Sequence, residues 1–240
     1  MTANTRKPGR PRQADNAQDA KTALLLAASK LFAARGADAV SVREVAEAAG
    51  VSPAMINYYF RNKKGLMRAV LERGLDRVLA VVAEVAGQHD EPVTAAFIDH
   101  YIRALNADPS LPQLMVREVL SGNPSYQKVI AERFVRKAIE MMPPRIAEDI
   151  TAGQLRRDLD PRLTMLSLVG MCVFPFIAAP LLRPVLGYEF NDAFADQLVA
   201  HTTQLFNEGA KGTAAKGTAA KGTAAKGSAT KGTAAEKDDD

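Results

Sequence analysis

Apolar residues recur at intervals of three and four along most of this chain, and no stretch shows the strict alternation of a half-buried strand, which predicts an all-α protein. Leu24, Leu25, Ala28, Leu31 and Phe32 form one apolar face of a helix over residues 17 to 35, which Gly36 stops. Two short patterns follow, at 42 to 49 and 53 to 60. A long stripe then runs through Met67, Leu71, Leu75, Val78, Val82 and Val85 on a helix that begins near Asn62. Further helices are expected at 91 to 106, 111 to 121, 124 to 141, 144 to 153, 161 to 182 and 190 to 207. Asp108-Pro109-Ser110, Gly122-Asn123-Pro124 and Met142-Pro143-Pro144 serve as breaks.

The two short patterns carry the most information. Ser41 can cap the first, and Glu44 three positions on completes a capping box. Val42, Val45, Ala46 and Ala49 share a face, and Gly50 ends the helix in a turn that needs a residue tolerant of positive φ. Ser52 caps the second helix and Pro53 opens it, where a missing N–H is harmless. Ile56 and Phe60 anchor it inward, so Pro53, Ala54, Met55 and Asn57 face outward, followed by Tyr58 and Tyr59. Helix, glycine turn and small-polar second helix form the layout of a helix-turn-helix that enters the DNA major groove.

In Ala49-Gly50-Val51-Ser52, then Tyr58-Tyr59-Phe60, then Lys63 and Leu66, the chain resembles the TetR family of bacterial transcriptional regulators over about residues 20 to 72. It departs from the commonest pattern at Asn57, where tyrosine is more usual, and at Tyr59, where histidine is more usual. The resemblance implies a three-helix DNA-binding head followed by a helical domain that binds an effector and dimerises. The expected divisions are 1–15 (a basic arm), 16–66 (the head), 67–208 (the helical domain) and 209–240 (a low-complexity tail). Helices 161–182 and 190–207 would pair with their symmetry mates. A two-fold dimer would then present two recognition helices to a palindromic duplex.

Charge supports a DNA partner. Residues 1–75 carry 13 Lys/Arg against 6 Asp/Glu, whereas residues 76–208 carry 12 against 17, so positive charge sits with the helix-turn-helix. Arg43 is expected at a phosphate or guanine edge, Asn57 at an adenine, Tyr58 and Tyr59 at phosphates, and Lys63 at a phosphate beside a helix N-terminus. Ser52, Pro53, Ala54 and Met55 complete the reading face, with packing as the alternative role for Met55 and Tyr59. Gly9-Arg10-Pro11 resembles an AT-hook, which would place Arg10 in a minor groove; a solvated basic tail is the alternative.

An effector is implied by the family resemblance alone. Tyr101, Met115, Glu118, Tyr126, Met171 and Phe174 are candidate lining residues, although methionines and aromatics at helical spacing also build plain cores. Glu118, amid Leu114, Met115, Val119 and Leu120, could meet a cation or a hydrogen-bond donor, or pair with Arg117 or Arg133. One cysteine, Cys172, excludes an internal disulfide and a multi-cysteine zinc site, and three scattered histidines make no metal cluster, so no metal or cofactor is expected. No nucleophile elbow, P-loop or dinucleotide fingerprint is present, and Asp158 and Asp160 fit a loop better than a catalytic pair, so no enzyme is expected.

Two stretches need separate weighing. Leu163 to Leu182 is uncharged and long enough to span a bilayer. Pro175, Pro180, Thr164 and Ser167 instead favour an interrupted helix buried between core and partner subunit, with no membrane involved. The opening residues are polar and basic with no apolar run, which fits a cytoplasmic protein. Residues 211 to 235 repeat a five-residue unit, KGTAA with one KGSAT, too poor in large apolar groups to pack. With the basic arm, this tail keeps open a second reading, an architectural protein that coats DNA with little sequence preference.

Overall fold

The computed structural model describes residues 13–89, 92–120 and 124–210, and its elements there are all helical. In order they are α1 (Gln13–Arg35), α2 (Val42–Ala48), α3 (Ala54–Phe60), α4 (Lys63–Ala86), α5 (Val93–Ala107) and α6 (Ser110–Leu114). A π-helical turn, Met115–Leu120, continues α6. Then come α7 (Pro124–Ile130), a second π-helical turn (Ala131–Val135), α8 (Arg136–Thr151), α9 (Pro161–Leu186) and α10 (Asp192–Ala210). Arg10 and the KGTAA repeats lie outside the described residues.

Two hydrophobic clusters form, and α4 belongs to both. Leu24, Ala28 and Phe32 of α1 meet Val45, Ile56 and Phe60, and Leu66, Met67 and Leu71 of α4 close this first cluster. Leu114, Val119 and Ile130 enter it from the later helices. Val78, Val82 and Val85, further along the same stripe, pack with Phe97, Ile102, Met142, Leu168, Cys172 and Phe176 in the second cluster. A single stiff helix thus joins the two clusters without a break.

The expected break at Met142-Pro143-Pro144 does not occur: α8 runs through both prolines. The two carbonyls that lose their partners belong to Ile139 and Glu140, which are exposed, so water can satisfy them. Buried Met142, Arg145, Ile146 and Asp149 hold the following turns in place. Nor do Pro175 and Pro180 interrupt α9, which runs its full length with Pro175, Pro180 and Pro184 inside it. A helix-interior proline costs about 3 kcal/mol or more. Burial of Leu168, Cys172, Phe176, Ala178 and Ala179 on either side offsets that cost. Asp160 caps α9, accepting from the backbone N–H groups of Arg162 at 2.8 Å and Leu163 at 2.9 Å.

A buried ion pair fixes the join between α4, α5 and α8. The Arg145 guanidinium donates to Asp149 and, through Nε, to the Gln88 carbonyl at 3.2 Å. The other carboxylate oxygen of Asp149 accepts the Val93 N–H at 2.8 Å, so the first turn of α5 is tied to the same group.

Candidate nucleic-acid interface

Side-chain caps start α2 and the helix that follows α3. Ser41 Oγ accepts the Glu44 N–H at 3.2 Å while Glu44 Oε2 accepts the Ser41 N–H at 2.8 Å, the reciprocal capping box expected from sequence. Glu44 Oε1 also takes a hydrogen bond from Arg35 at the end of α1, at 2.8 Å. The Ser41 amide first, and then the Arg35 guanidinium, hold the Glu44 carboxyl down to about 2. Gly50 makes the turn with φ +67°, and the Val51 N–H closes on the Ala46 carbonyl at 3.0 Å. Ser52 Oγ accepts the Ala54 N–H at 3.3 Å at the entrance to α3.

One face of α3 is locked. Ile56 is fully buried and Phe60 nearly so. The opposite face is open: Ser52, Pro53, Ala54 and Asn57 are exposed, and Tyr58 is 77% exposed. Arg43 is exposed on neighbouring α2. Met55 and Tyr59 are half-buried against the first cluster, and Tyr59 sits edge-on to Tyr58 with ring centres 4.9 Å apart. The chain leaves α3 through Arg61, which has a positive φ (+67°) with ψ −40°. Asn62 then caps α4 by accepting the Gly65 N–H at 2.9 Å. Gly65 allows this sharp corner, because a Cβ there would stand 2.0 Å from the Phe60 carbonyl oxygen.

Lys63 has a structural role that its sequence position did not reveal. Its ammonium, half-buried, donates to the carbonyls of Val40 at 3.2 Å and Asp38 at 3.5 Å. It therefore pins the loop ahead of α2 to the start of α4.

A fold-defining match to known proteins accompanies this geometry. The family model for bacterial regulatory proteins of the tetR family matches residues 24–70. Over 196 residues the chain is 30% identical to the HTH-type transcriptional regulator RutR of Escherichia coli K12, covering 80% of this chain and 90% of that protein. The chain belongs to the TetR family. It is a DNA-binding transcriptional regulator of the helix-turn-helix class. Its fold is shared with the ketosteroid regulator KstR2 of Mycobacterium tuberculosis, with TM-score 0.64, 18% identity, and 80% and 94% of the two chains covered. The Bacillus subtilis regulator FadR, solved with stearoyl-CoA, superposes with TM-score 0.60 at 19% identity, covering 75% and 95%.

In this TetR chain the six candidate effector residues do not converge on one place. Tyr101 is buried in the second cluster and stacked on Phe97 at 4.8 Å between ring centres. Burial, with Cys172 nearby, pushes its phenol well above the usual range. Met171 lies half-buried on that cluster, and Met115 touches both clusters. Phe174 is 61% exposed, on the outside of α9. Tyr126 lies in a groove of about 400 Å³ beside Phe60, Arg61, Lys64 and Arg68, at the edge of the first cluster. Glu118 pairs with neither arginine named from sequence: it accepts the Ala37 N–H at 3.0 Å. Arg133 instead reaches Glu72 at 2.7 Å, and Arg117 donates to the Ala33 carbonyl at 3.3 Å. Glu118 and Arg117 thus meet backbone groups left open at the end of α1, while Arg133 pairs with a carboxylate on α4.

Proposed function

We propose that this TetR regulator is a cytoplasmic, dimeric repressor that reads a palindromic operator through α3 and is released by a small-molecule effector. The observation that carries the reading is the contrast across α3: Ile56 and Phe60 locked in the core, Asn57 and Tyr58 projecting freely. A rigid helix with a small, polar outer face suits base edges. Asn57 pairs with an adenine. Pro53, Ala54 and Met55 pack against neighbouring bases, and Ser52, Arg43, Tyr58, Tyr59 and Lys63 hold phosphates. Lys63 keeps its two carbonyl contacts while its charge faces the backbone. The effector binds within the second cluster, where Tyr101, Met115 and Met171 supply an apolar wall with a phenol in it. FadR, with the same fold, is solved with stearoyl-CoA, which supports a small-molecule effector for this chain.

The test is selection of duplexes from a random library by the full-length protein, followed by gel shift against scrambled competitor. A palindromic consensus should emerge. Asn57→Ala should lower the preference for it by about 10- to 100-fold, as expected for losing one good base contact. Equal binding to selected and scrambled DNA would reject the sequence-specific reading in favour of an architectural one.

A further inference from the structure

The groove of about 400 Å³ between the first turns of α4 and Tyr126 of α7 is walled by Arg61, Lys64 and Arg68. All three are exposed. Glu72 lies one turn further along α4, and it is shared: it accepts Arg68 at 3.0 Å and Arg133 of the neighbouring π-helical turn at 2.7 Å. Two guanidinium groups thus divide one carboxylate, and among the described residues no carboxylate pairs with Arg61 or Lys64. Tyr126 adds a phenol. Burial first, then the carboxylates of Glu118 and Asp38, push that phenol up, so it keeps its proton and stays a hydrogen-bond donor. Three cations and a phenol along one groove fit a run of carboxylates.

The chain carries such a run. Glu236, Asp238, Asp239 and Asp240 stand together with Lys237 as their one basic neighbour. Residues 211–235, which join them to α10, hold five lysines and no acid. The basic head therefore repels the lysine repeat, which the acidic residues 76–208 attract, while the head attracts residues 236–240. Length permits the contact. α10 ends at Ala210, whose carbonyl accepts the Arg156 N–H at 2.9 Å. Next to Arg156, the Leu155 N–H meets the Asp149 carbonyl at 3.3 Å, and Arg145, paired with Asp149, reaches Gln88 just past the end of α4. The end of α10 thus lies at the opposite end of α4 from the groove. The 24 residues of α4 span about 36 Å. An extended chain of the length of 211–235 covers up to about 80–90 Å, more than twice that distance. Each exposed ion pair is weak, but a tether holds its partner at about millimolar effective concentration, so several weak pairs act together.

We propose that the acidic residues 236–240 dock in the groove between the start of α4 and α7, and that they compete there with DNA. Arg61 and Lys64 are interleaved along the chain with Tyr58, Tyr59 and Lys63, so a docked run of carboxylates stands where duplex phosphates approach. A duplex must displace it, and that raises the threshold for binding any DNA. The consequence for DNA rests on the regulator reading above, whereas the docking itself does not.

Zero-length carbodiimide cross-linking of the full-length protein, mapped by mass spectrometry, tests the docking. In the wild type Lys64 should join Asp238, Asp239 or Asp240. Arg61→Gln with Arg68→Gln keeps Lys64 and every acid, and should cut that yield by at least about fivefold, as should about 0.5 M salt. Gel shift tests the competition. Glu236→Gln, Asp238→Asn, Asp239→Asn and Asp240→Asn together should tighten binding to the duplex selected by the wild type by about 5- to 20-fold at about 50 mM salt, with the gap closing as salt rises. A missing Lys64 cross-link, or one whose yield ignores the arginine substitutions, would overturn the docking. Loss of duplex affinity on Arg61→Gln with Arg68→Gln, without any such cross-link, would assign the groove to phosphates alone. Equal affinity of wild type and neutralised tail would overturn the competition. If the wild type selects no duplex, the regulator reading fails instead, and the cross-link still decides the docking.

Discussion

Asp149 and Arg145 show what a single residue can carry here. Both are nearly fully buried, at 2% and 6% exposure, and each satisfies the other as well as a backbone group. Removing one partner strands a charge in the core. Asp149→Ala should therefore destabilise the protein by about 3–5 kcal/mol, read as a drop in urea midpoint, while Asp149→Leu with Arg145→Met should recover most of that loss. A midpoint unchanged by Asp149→Ala would contradict the pairing. This pair was within reach of sequence reading, since Arg145 and Asp149 stand four apart in the helix expected at 144 to 153; what a local window does not contain is their burial against α5 and the Gln88 carbonyl. Glu44 behaves differently because it is on the surface. Its folded-state carboxyl is held at about 2, below the ordinary 4.5. Its contribution is thus complete above pH about 4.5 and is lost as pH falls towards 2. The melting-temperature gap between wild type and Glu44→Ala should be widest near neutrality and close across that window. A gap independent of pH would show that the carboxylate's charge is irrelevant to the cap.

At the scale of elements, caps were readable and winding was not. Ser41, Glu44, Gly50 and Ser52 announce α2 and α3 because capping and turn chemistry is local, and all four act as their types predict. The prolines in α8 and α9 misled because what outweighs them is burial against distant helices, which no local window contains. The turn Met115–Leu120 has no local signature either: its winding fits the joint burial of Leu114 and Val119 in a remote cluster. For the same reason Glu118 was legible as unusual, though not as a partner of a backbone amide 81 positions away. Gly65 is the element-scale weak point. It lets α4 start directly beneath the Phe60 carbonyl, where a Cβ would be 2.0 Å away. Gly65→Ala must push α4 from α3, at a cost of about 1–3 kcal/mol. Operator affinity should fall further than stability alone explains, because α3 is displaced as a unit. Gel shift beside a melting curve checks this, and an alanine variant that binds normally would mean the corner has slack.

For the whole molecule the open question is what covers α9. It is long and apolar enough to cross a bilayer, yet one face, through Leu168, Cys172 and Phe176, is buried in the second cluster. Leu163, Leu166, Phe174, Leu181 and Val185 are each more than 60% exposed, and Phe194 and Leu198 of α10 are only half-covered nearby. Insertion into lipid would have to tear the buried face from its cluster, whereas a second copy can cover the exposed face and leave the cluster intact. A two-fold pairing of α9 and α10 also supplies the second α3 that a palindrome requires. Leu181→Glu tests this without touching the core, because Leu181 is 75% exposed. Sedimentation should give the wild type at twice 25.8 kDa and the variant near 25.8 kDa, with an unchanged helical spectrum. The variant should bind the selected palindrome at least about 100-fold more weakly, since one head then works without its tethered neighbour, yet bind an isolated half-site as the wild type does. A variant that remains dimeric would move the interface elsewhere. A monomeric wild type that still bound the palindrome tightly would remove the need for a dimer altogether.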